Sequence, residues 1–191
     1  MEQGCGNCEL SLPRNCHIGA DPAGTPLGSG GGTIHLLYSA WQAQGPDMRF
    51  EDWIASRMRI LVHGGGESRR LPAYAPTGKL FIPLPAFRWA LGQRIDQTLL
   101  DVQLPLLHRI AGAAPANTRA MVVSGDVLLR SNESLPELPD ADVVLFGLWA
   151  QPEKAKNFGV MFCDRKDPRQ LVTFLQKPTP EKTRSMAQDY M

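Results

Sequence analysis

The sequence predicts an α/β domain whose mostly parallel sheet is flanked by helices. Short apolar runs alternate along the chain with stretches of helical period, as in strand–helix–strand units. The run Ile60–Val62 leads into the glycines Gly64, Gly65 and Gly66, as a buried parallel strand does where it enters a tight loop. Parallel sheets bind ligands at the carboxyl ends of their strands, so this loop is the first candidate for a binding site.

The segment before this strand predicts a loop followed by two helices. Residues 1–33 are rich in glycine, proline and asparagine and predict loop. Thr33 is a good N-cap for an amphipathic helix that runs through Ala43. Phe50–Met58 has the apolar spacing of a second, short helix.

The segment after the glycine loop predicts a long helix and several strands. Ile95–Ala111 has the clearest helical period, and Pro105 must kink or break this helix because proline lacks an N–H. Ala120–Ser124 predicts a buried strand, and Glu181–Tyr190 the start of a helix that the chain end interrupts. Three further runs predict strands: Val143–Trp149, Gly159–Cys163 and Leu171–Leu175.

Composition and charge favour an ordinary globular protein. The chain has 191 residues, 43% of them apolar and 20% charged, and a net charge of +1. This balance offers no bulk field to attract nucleic acid or an anionic membrane. Neither a membrane-spanning run nor a secretory leader is visible, so we expect a cytoplasmic protein with an irregular segment over 1–20 and one domain over 21–191.

The cysteines, histidines and tryptophans suggest little chemistry. Cys5, Cys8, Cys16 and His17 have the spacing of a zinc site, but the segment lacks the periodicity of a small zinc fold, so reduced thiols are the preferred interpretation. The four histidines show no metal spacing. The tryptophans are expected in the core: Trp41, Trp53, Trp89 and Trp149.

The loop that follows the first strand has the chemistry of a polyphosphate site. Its glycine amides can form an anion-binding concavity, and its cations supply forked and point-charge donors. The spacing fits neither the G-x-x-x-x-G-K-[ST] phosphate loop nor the dinucleotide fingerprint. A nucleoside triphosphate is the expected ligand of its polar residues, Ser68, Arg69, Arg70 and Lys79.

This loop, G-G-x-S-x-R-L-P with a following lysine, resembles the signature of sugar-1-phosphate nucleotidyltransferases. The chain is most similar to the L-fucose-1-phosphate guanylyltransferase branch, as found in bifunctional bacterial proteins with an L-fucokinase part. The resemblance covers roughly residues 21–178 through GSGGGTIHLL (28–37), LVHGGGESRRLPAYAPTGKLFIPLP (61–85), FRW (87–89), GQRIDQTLLDVQLPL (92–106), VVSGDVLLR (122–130), DVVLFGLW (142–149) and FLQKP (174–178).

The resemblance implies a GT-A-like, Rossmann-like nucleotidyltransferase fold, incomplete at both ends of this chain. The implied reaction joins L-fucose 1-phosphate and GTP to give GDP-L-fucose and pyrophosphate. Arg70 would bind the leaving pyrophosphate with help from Arg69, and Lys79 would bridge the α-phosphate and the entering phosphate. Most relatives have proline after this lysine, whereas the fucose branch, like this chain, has leucine, here Leu80.

The positions of the residues, together with the resemblance, indicate the remaining site residues. Asp126, at a strand end, would bind Mg²⁺, and Lys177 would hold the sugar phosphate. The nucleotide-binding residues would be Gly64, Gly65, Gly66, Ser68 and Arg69, with Gly30 and Gly31 in a flexible loop at a helix start.

Two alternatives stay open from the residues alone. One is a nucleotidyltransferase for another sugar 1-phosphate, which the glycine–arginine–lysine loop does not exclude. The other is a truncated fragment that binds nucleotide without turnover, since the family continues with a second metal carboxylate. In the bifunctional proteins a C-terminal sugar kinase domain follows as well.

Overall fold

The computed structural model describes residues 16–64, 78–84, 96–125, 127–129 and 137–191. The chain divides into two compact units, residues 1–140 and 141–191. No helix in the described parts of the chain is long and apolar enough to cross a membrane.

The first helix, α1, spans Gly28–Gln44 and begins earlier than predicted. Thr33 therefore lies inside the helix rather than at its N-cap. Its hydroxyl donates to the Ser29 carbonyl oxygen one turn earlier, at 2.8 Å, instead of accepting from a backbone N–H as a cap would. The N-cap position is Leu27, whose N–H donates to Asp21 at 3.0 Å. The predictions of a Thr33 cap and of a flexible glycine loop are therefore wrong, since residues 28–33 are helical.

The second helix, α2, spans Phe50–Ala55 and confirms the predicted short helix, with an earlier end. Its Trp53 is 5% exposed, which confirms one of the expected core tryptophans. The guanidinium of Arg59 lies 3.5 Å from the centre of the Trp53 ring, and it donates to the Trp53 carbonyl at 2.6 Å. Burial, with a smaller effect from Arg57, lowers the pKa of Arg59, which still stays protonated in a protein.

The two strands of the first unit lie at the predicted residues, and they are parallel, as expected for a strand–helix–strand order. Strand β1, Arg59–His63, is parallel to β2, Ala120–Ser124, in a register that sets His63 opposite Ser124. Leu61 is 5% exposed at the centre of β1. The prediction that β2 is buried is wrong, because its residues alternate between exposed and half-buried and Val122 is 54% exposed.

The long helix of the first unit, α3, spans Leu99–Ala113 without a break. A reciprocal pair of hydrogen bonds between Thr98 and Asp101 caps its start, which explains why it begins after Ile95. Pro105 lies on the exposed face, where water can bind the carbonyl that loses its partner, so the predicted break is wrong. The buried face consists of Leu99, Gln103, Leu107 and Ile110.

The second unit holds an antiparallel hairpin between two short helices. Helix α4 spans Pro152–Ala155, strand β3 Gly159–Cys163, strand β4 Leu171–Gln176 and helix α5 Pro180–Met186. Strands β3 and β4 confirm two predicted strands, but they pair antiparallel. A mostly parallel sheet is therefore not what the described residues form: the fold is mixed α/β, with one small parallel and one small antiparallel sheet.

Two further predictions in this unit are wrong. Val143–Trp149 forms no strand, because no described strand pairs with it, and its Trp149 is 82% exposed rather than in the core. Helix α5 ends at Met186, well before Tyr190, and Thr179 caps its start by accepting from the Lys182 N–H. The chain end therefore does not interrupt this helix.

The cysteines and the remaining tryptophans are partly described. Cys16 and Cys163 are free thiols. Within the described ranges no group of three or more His, Cys, Asp or Glu residues is arranged to hold a metal ion. Cys5, Cys8 and Trp89 lie outside the described residues.

Candidate nucleotide-binding site

The carboxyl ends of β1 and β2 lie side by side, as their parallel register requires. Beyond the last pair, His63 and Ser124, come Gly64 and Gly125. The Gly125 N–H donates to the His63 carbonyl oxygen at 2.9 Å, which holds the two strand exits together. The predicted loop glycines therefore begin at the edge of the sheet where α/β proteins bind ligands.

Leu80 explains why both strands exit through glycine. A Cβ at Gly64 would lie 2.6 Å from Leu80 Cδ1. A Cβ at Gly125 would lie 2.7 Å from Leu80 Cδ2 and 2.7 Å from the His63 carbonyl oxygen. Leu80 is buried, so the two glycines make room for its side chain. We name Gly64, Gly125 and Leu80, with His63, the glycine corner.

Lys79 lies beside the glycine corner because its two chain neighbours, Gly78 and Leu80, both lie close to Gly64. Gly78 adopts φ +72°, and a Cβ there would lie 3.4 Å from the Gly64 carbonyl oxygen. Lys79 then begins the 3₁₀ turn Lys79–Phe81, which continues into backbone hydrogen bonds with the start of α3. The structure thus brings Lys79 and Gly64, predicted from one motif, to one end of the sheet.

The start of α1 also reaches this end of β1. Thr33 Oγ1 lies 2.7 Å from His63 Nε2. A Cβ at Gly32 would lie 3.8 Å from His63 Cε1 and 3.4 Å from an Asp21 carboxylate oxygen. Gly30 and Gly31 belong to the same first turns of the helix, and a Cβ at Gly30 would have no neighbour within 4 Å in the described parts of the chain.

Lys177 belongs to the second unit and follows β4. Its side chain is exposed, its N–H donates to the Phe158 carbonyl at 2.9 Å, and its φ is +50°. The next residue, Pro178, is buried. Positive φ is unusual for a residue with a side chain, and more so before proline, which favours extended backbone at the preceding position.

Several predicted site residues lie outside the described parts of the chain. They are Gly65, Gly66, Ser68, Arg69, Arg70 and Asp126. Beside the last of these, the Gln103 side-chain amide donates to the Val127 carbonyl. Gln103 is only 2% exposed, and its own side-chain carbonyl oxygen is buried without a hydrogen-bond partner among the described residues.

Sequence reasoning missed His63, Thr33 and Gln103. The position of His63 directly before the glycines was a usable signal, because residues at a strand exit face the ligand edge. The residue pattern around Thr33 predicts only a helix cap, not a contact with His63. Gln103 lies on the buried face of α3, and the spacing of apolar residues does not predict a buried polar side chain there.

The described residues form a mixed α/β fold, and glycines and a lysine at a parallel strand edge are typical of phosphate-binding sites. Comparison with known proteins gives the family. The model of the Fucose pyrophosphorylase domain matches residues 52–188, so the chain belongs to this family.

The names of three similar proteins agree with this family assignment. The L-fucokinase/L-fucose-1-P guanylyltransferase of Bacteroides fragilis is 45% identical over 172 residues, which is 90% of this chain and 18% of that protein. The Fucose-1-phosphate guanylyltransferase of Mus musculus is 37% identical over 98 residues, 51% of this chain and 15% of that protein. The Bifunctional fucokinase/GDP-fucose pyrophosphorylase of Arabidopsis thaliana is 26% identical over 182 residues, 84% of this chain and 17% of that protein.

This chain spans less than a fifth of the length of each of these relatives. No solved structure matches it.

Proposed function

We propose that the protein transfers GMP from GTP to L-fucose 1-phosphate, giving GDP-L-fucose and pyrophosphate. The observation that carries the proposal is the glycine corner with Lys79 beside it, in a chain of the fucose pyrophosphorylase family. The relatives named as fucose-1-phosphate guanylyltransferases support the choice of base and sugar.

In the proposed reaction a phosphate oxygen of L-fucose 1-phosphate forms a bond to the α-phosphorus of GTP. The bond from that phosphorus to the bridging oxygen breaks, and pyrophosphate leaves with the electron pair. Such a displacement needs positioning and charge neutralisation rather than a covalent nucleophile. Lys79 bridges the α-phosphate and the entering phosphate, while Arg70, with Arg69, stabilises the leaving pyrophosphate.

The remaining residues bind either the nucleotide or the sugar phosphate. The amides of Gly64, Gly65 and Gly66, with Ser68, face the nucleotide phosphates, and Gly30 and Gly31 contact the nucleotide from the start of α1. Glycine is also needed at position 64 for packing, because a Cβ there would lie too close to the Leu80 side chain. Lys177 holds the phosphate of the sugar.

Mg²⁺ is the proposed cofactor, held by Asp126. This residue follows Gly125 at the carboxyl end of β2, and its carboxylate is the donor type that Mg²⁺ combines with substrate phosphates. When bound, the ion would neutralise charge on the nucleotide phosphates.

Replacing Asp126 by Asn tests the metal assignment. We expect activity and the response to Mg²⁺ to weaken together while the protein stays folded, because an amide is a poorer ligand for this hard cation. A rate assay across Mg²⁺ concentrations measures this. If the variant has the activity and Mg²⁺ titration of the parent, the ligand is another residue.

For the full-length protein we propose a GT-A-like, Rossmann-like nucleotidyltransferase domain and a cytoplasmic location. A sugar kinase domain in the same polypeptide would match the names of the Bacteroides fragilis and Arabidopsis thaliana relatives.

A second candidate is nucleotide binding without turnover by the 191-residue chain alone. The favouring observation is exposed apolar surface: Leu148 is 89% and Val143 74% exposed, and Val122 of β2 is 54% exposed. Such surface and open strand edges favour aggregation. We expect this chain to bind GTP because it contains the glycine corner and Lys79. Because of its exposed apolar surface, we expect it to dissolve poorly and to make at most traces of GDP-fucose.

Pyrophosphate release tests both candidates and the sugar. Full-length protein and the 191-residue chain are each assayed with GTP and a series of sugar 1-phosphates. We expect release by the full-length protein only with L-fucose 1-phosphate. Equal release with a different sugar 1-phosphate would overturn the proposed substrate, and robust turnover by the soluble 191-residue chain would overturn the second candidate.

A further inference from the structure

A histidine and a threonine meet at the glycine corner, 30 residues apart in the chain. Thr33 Oγ1 contacts two groups, the Ser29 carbonyl oxygen at 2.8 Å and His63 Nε2 at 2.7 Å. A carbonyl oxygen only accepts, so the single hydroxyl proton is used on Ser29. The second contact is then a hydrogen bond only if His63 Nε2 carries a proton and donates it to Thr33.

This bond fixes the His63 ring relative to α1. The His63 backbone is fixed as well, because its carbonyl accepts from the Gly125 N–H in the adjoining strand. The residue thus joins three parts of the proposed site: the helix start with Gly30 and Gly31, the exit of β1 before the glycine loop, and the exit of β2. Among the described residues, no hydrogen bond involves its other ring nitrogen, Nδ1.

We propose that His63 is a positioning residue for the nucleotide, locked by Thr33, and that it holds the start of α1 beside the exit of β1. The inference rests on the proposed function and deepens it. Both glycine-bearing elements must face one nucleoside triphosphate at the same time, and the Thr33–His63 bond sets their separation. Losing it lets the two elements move apart, so GTP affinity falls while the reacting groups stay in place.

The same helix offers a matched control. Ser39 Oγ donates to the Leu36 carbonyl at 3.0 Å and lies 2.9 Å from His17 Nε2. This pair repeats the hydroxyl–histidine arrangement of Thr33 and His63 further along α1. Ser39→Ala therefore removes the same kind of bond without touching the glycine corner.

The test uses the full-length protein with Thr33→Val, His63→Phe and the double variant. We expect each single change to weaken GTP affinity about tenfold, as for the loss of one well-made hydrogen bond, with kcat and the KM for L-fucose 1-phosphate within about twofold of the parent. The double variant should bind no more weakly than either single one, because both remove one interaction. Thr33→Ser and His63→Gln keep the hydroxyl and a donor and should restore most of the affinity.

Calorimetric titration with GTP and Mg²⁺, steady-state kinetics and thermal unfolding separate the outcomes. If Thr33→Val and His63→Phe bind GTP as the parent does, or if Ser39→Ala weakens binding equally, the inference is overturned and the proposed function stands. If the parent makes no GDP-fucose but binds GTP more tightly than Thr33→Val does, the function fails and the inference holds. A parent that binds no GTP overturns both.

Discussion

The two units each present one lysine predicted to bind phosphate, and they position it differently. In the first unit the positive φ falls on Gly78, and Lys79 follows with ordinary backbone. In the second unit the positive φ, +50°, falls on Lys177 itself. Glycine adopts this conformation without strain, whereas a residue with a Cβ is disfavoured by about 1–2 kcal/mol.

The two lysines share one feature: the residue that follows each is buried. Leu80 fills the glycine corner, and Pro178 is buried after β4. In both units an apolar neighbour therefore fixes the backbone from which a cationic side chain extends. Strain of the kind seen at Lys177 persists only where the surrounding structure holds it, and strained positions cluster at functional sites.

The largest expected effect is loss of turnover at the first lysine. Lys79→Ala and Arg70→Ala in the full-length protein should each lower the rate about 100-fold or more, as for the loss of one charge stabiliser in the transition state. Lys166→Ala is the control, because Lys166 is exposed in a turn of the second unit. Rates are measured as pyrophosphate release, and near-parental rates for both variants would remove these residues from the site.

A smaller effect should follow from filling the glycine corner. Gly125→Ala should lower the free energy of unfolding by about 1–3 kcal/mol, because the new Cβ meets both Leu80 and the His63 backbone. Gly64→Ala should cost less, since the nearest described atoms that its Cβ would meet belong to the Leu80 side chain and not to backbone.

The control for the glycine corner is Gly112→Ala. Gly112 lies within α3, and a Cβ there would meet no described atom outside the helix's own backbone within 4 Å, so alanine should stabilise the helix by up to about 1 kcal/mol. Urea unfolding measures all three variants. Equal stability of Gly125→Ala and Gly112→Ala would mean that Leu80 does not pack as described.

The smallest effect concerns strain at the second lysine. Lys177→Gly and Lys177→Ala both delete the ammonium, but only glycine relieves the positive φ. We expect Lys177→Gly to be more stable than Lys177→Ala by about 1 kcal/mol, with equal losses in affinity for L-fucose 1-phosphate. If the two variants unfold alike, the backbone at this position is not strained. If affinity is parental in both, Lys177 does not hold the sugar phosphate.

The sequence predicted those elements whose signal is local. Strands β1, β3 and β4 follow from short apolar runs, and α3 from its period. Val143–Trp149 has the same apolar signal but no described partner strand, and pairing is a property of the whole fold rather than of the run.

In the candidate site, too, the predictable contacts are those between residues of one local motif. Gly64 and Lys79 come together because one motif carries them both, so their proximity was predictable. The contact of Thr33 with His63 joins residues 30 positions apart, and the contact of Leu80 with Gly125 joins two separate elements. No pattern in a single sequence specifies such pairs, because they depend on how α1, the 3₁₀ turn and β2 pack around β1.

We propose that the glycine corner binds the nucleotide, whereas Lys177 binds the sugar phosphate. Calorimetric titration of GTP with Mg²⁺ into the full-length protein, Lys79→Ala and Lys177→Ala distinguishes these two roles. We predict that Lys79→Ala weakens GTP binding at least about tenfold, as for a lost charge-assisted hydrogen bond, and that Lys177→Ala leaves it within about twofold. Equal weakening by both variants, or none by Lys79→Ala, would contradict the account.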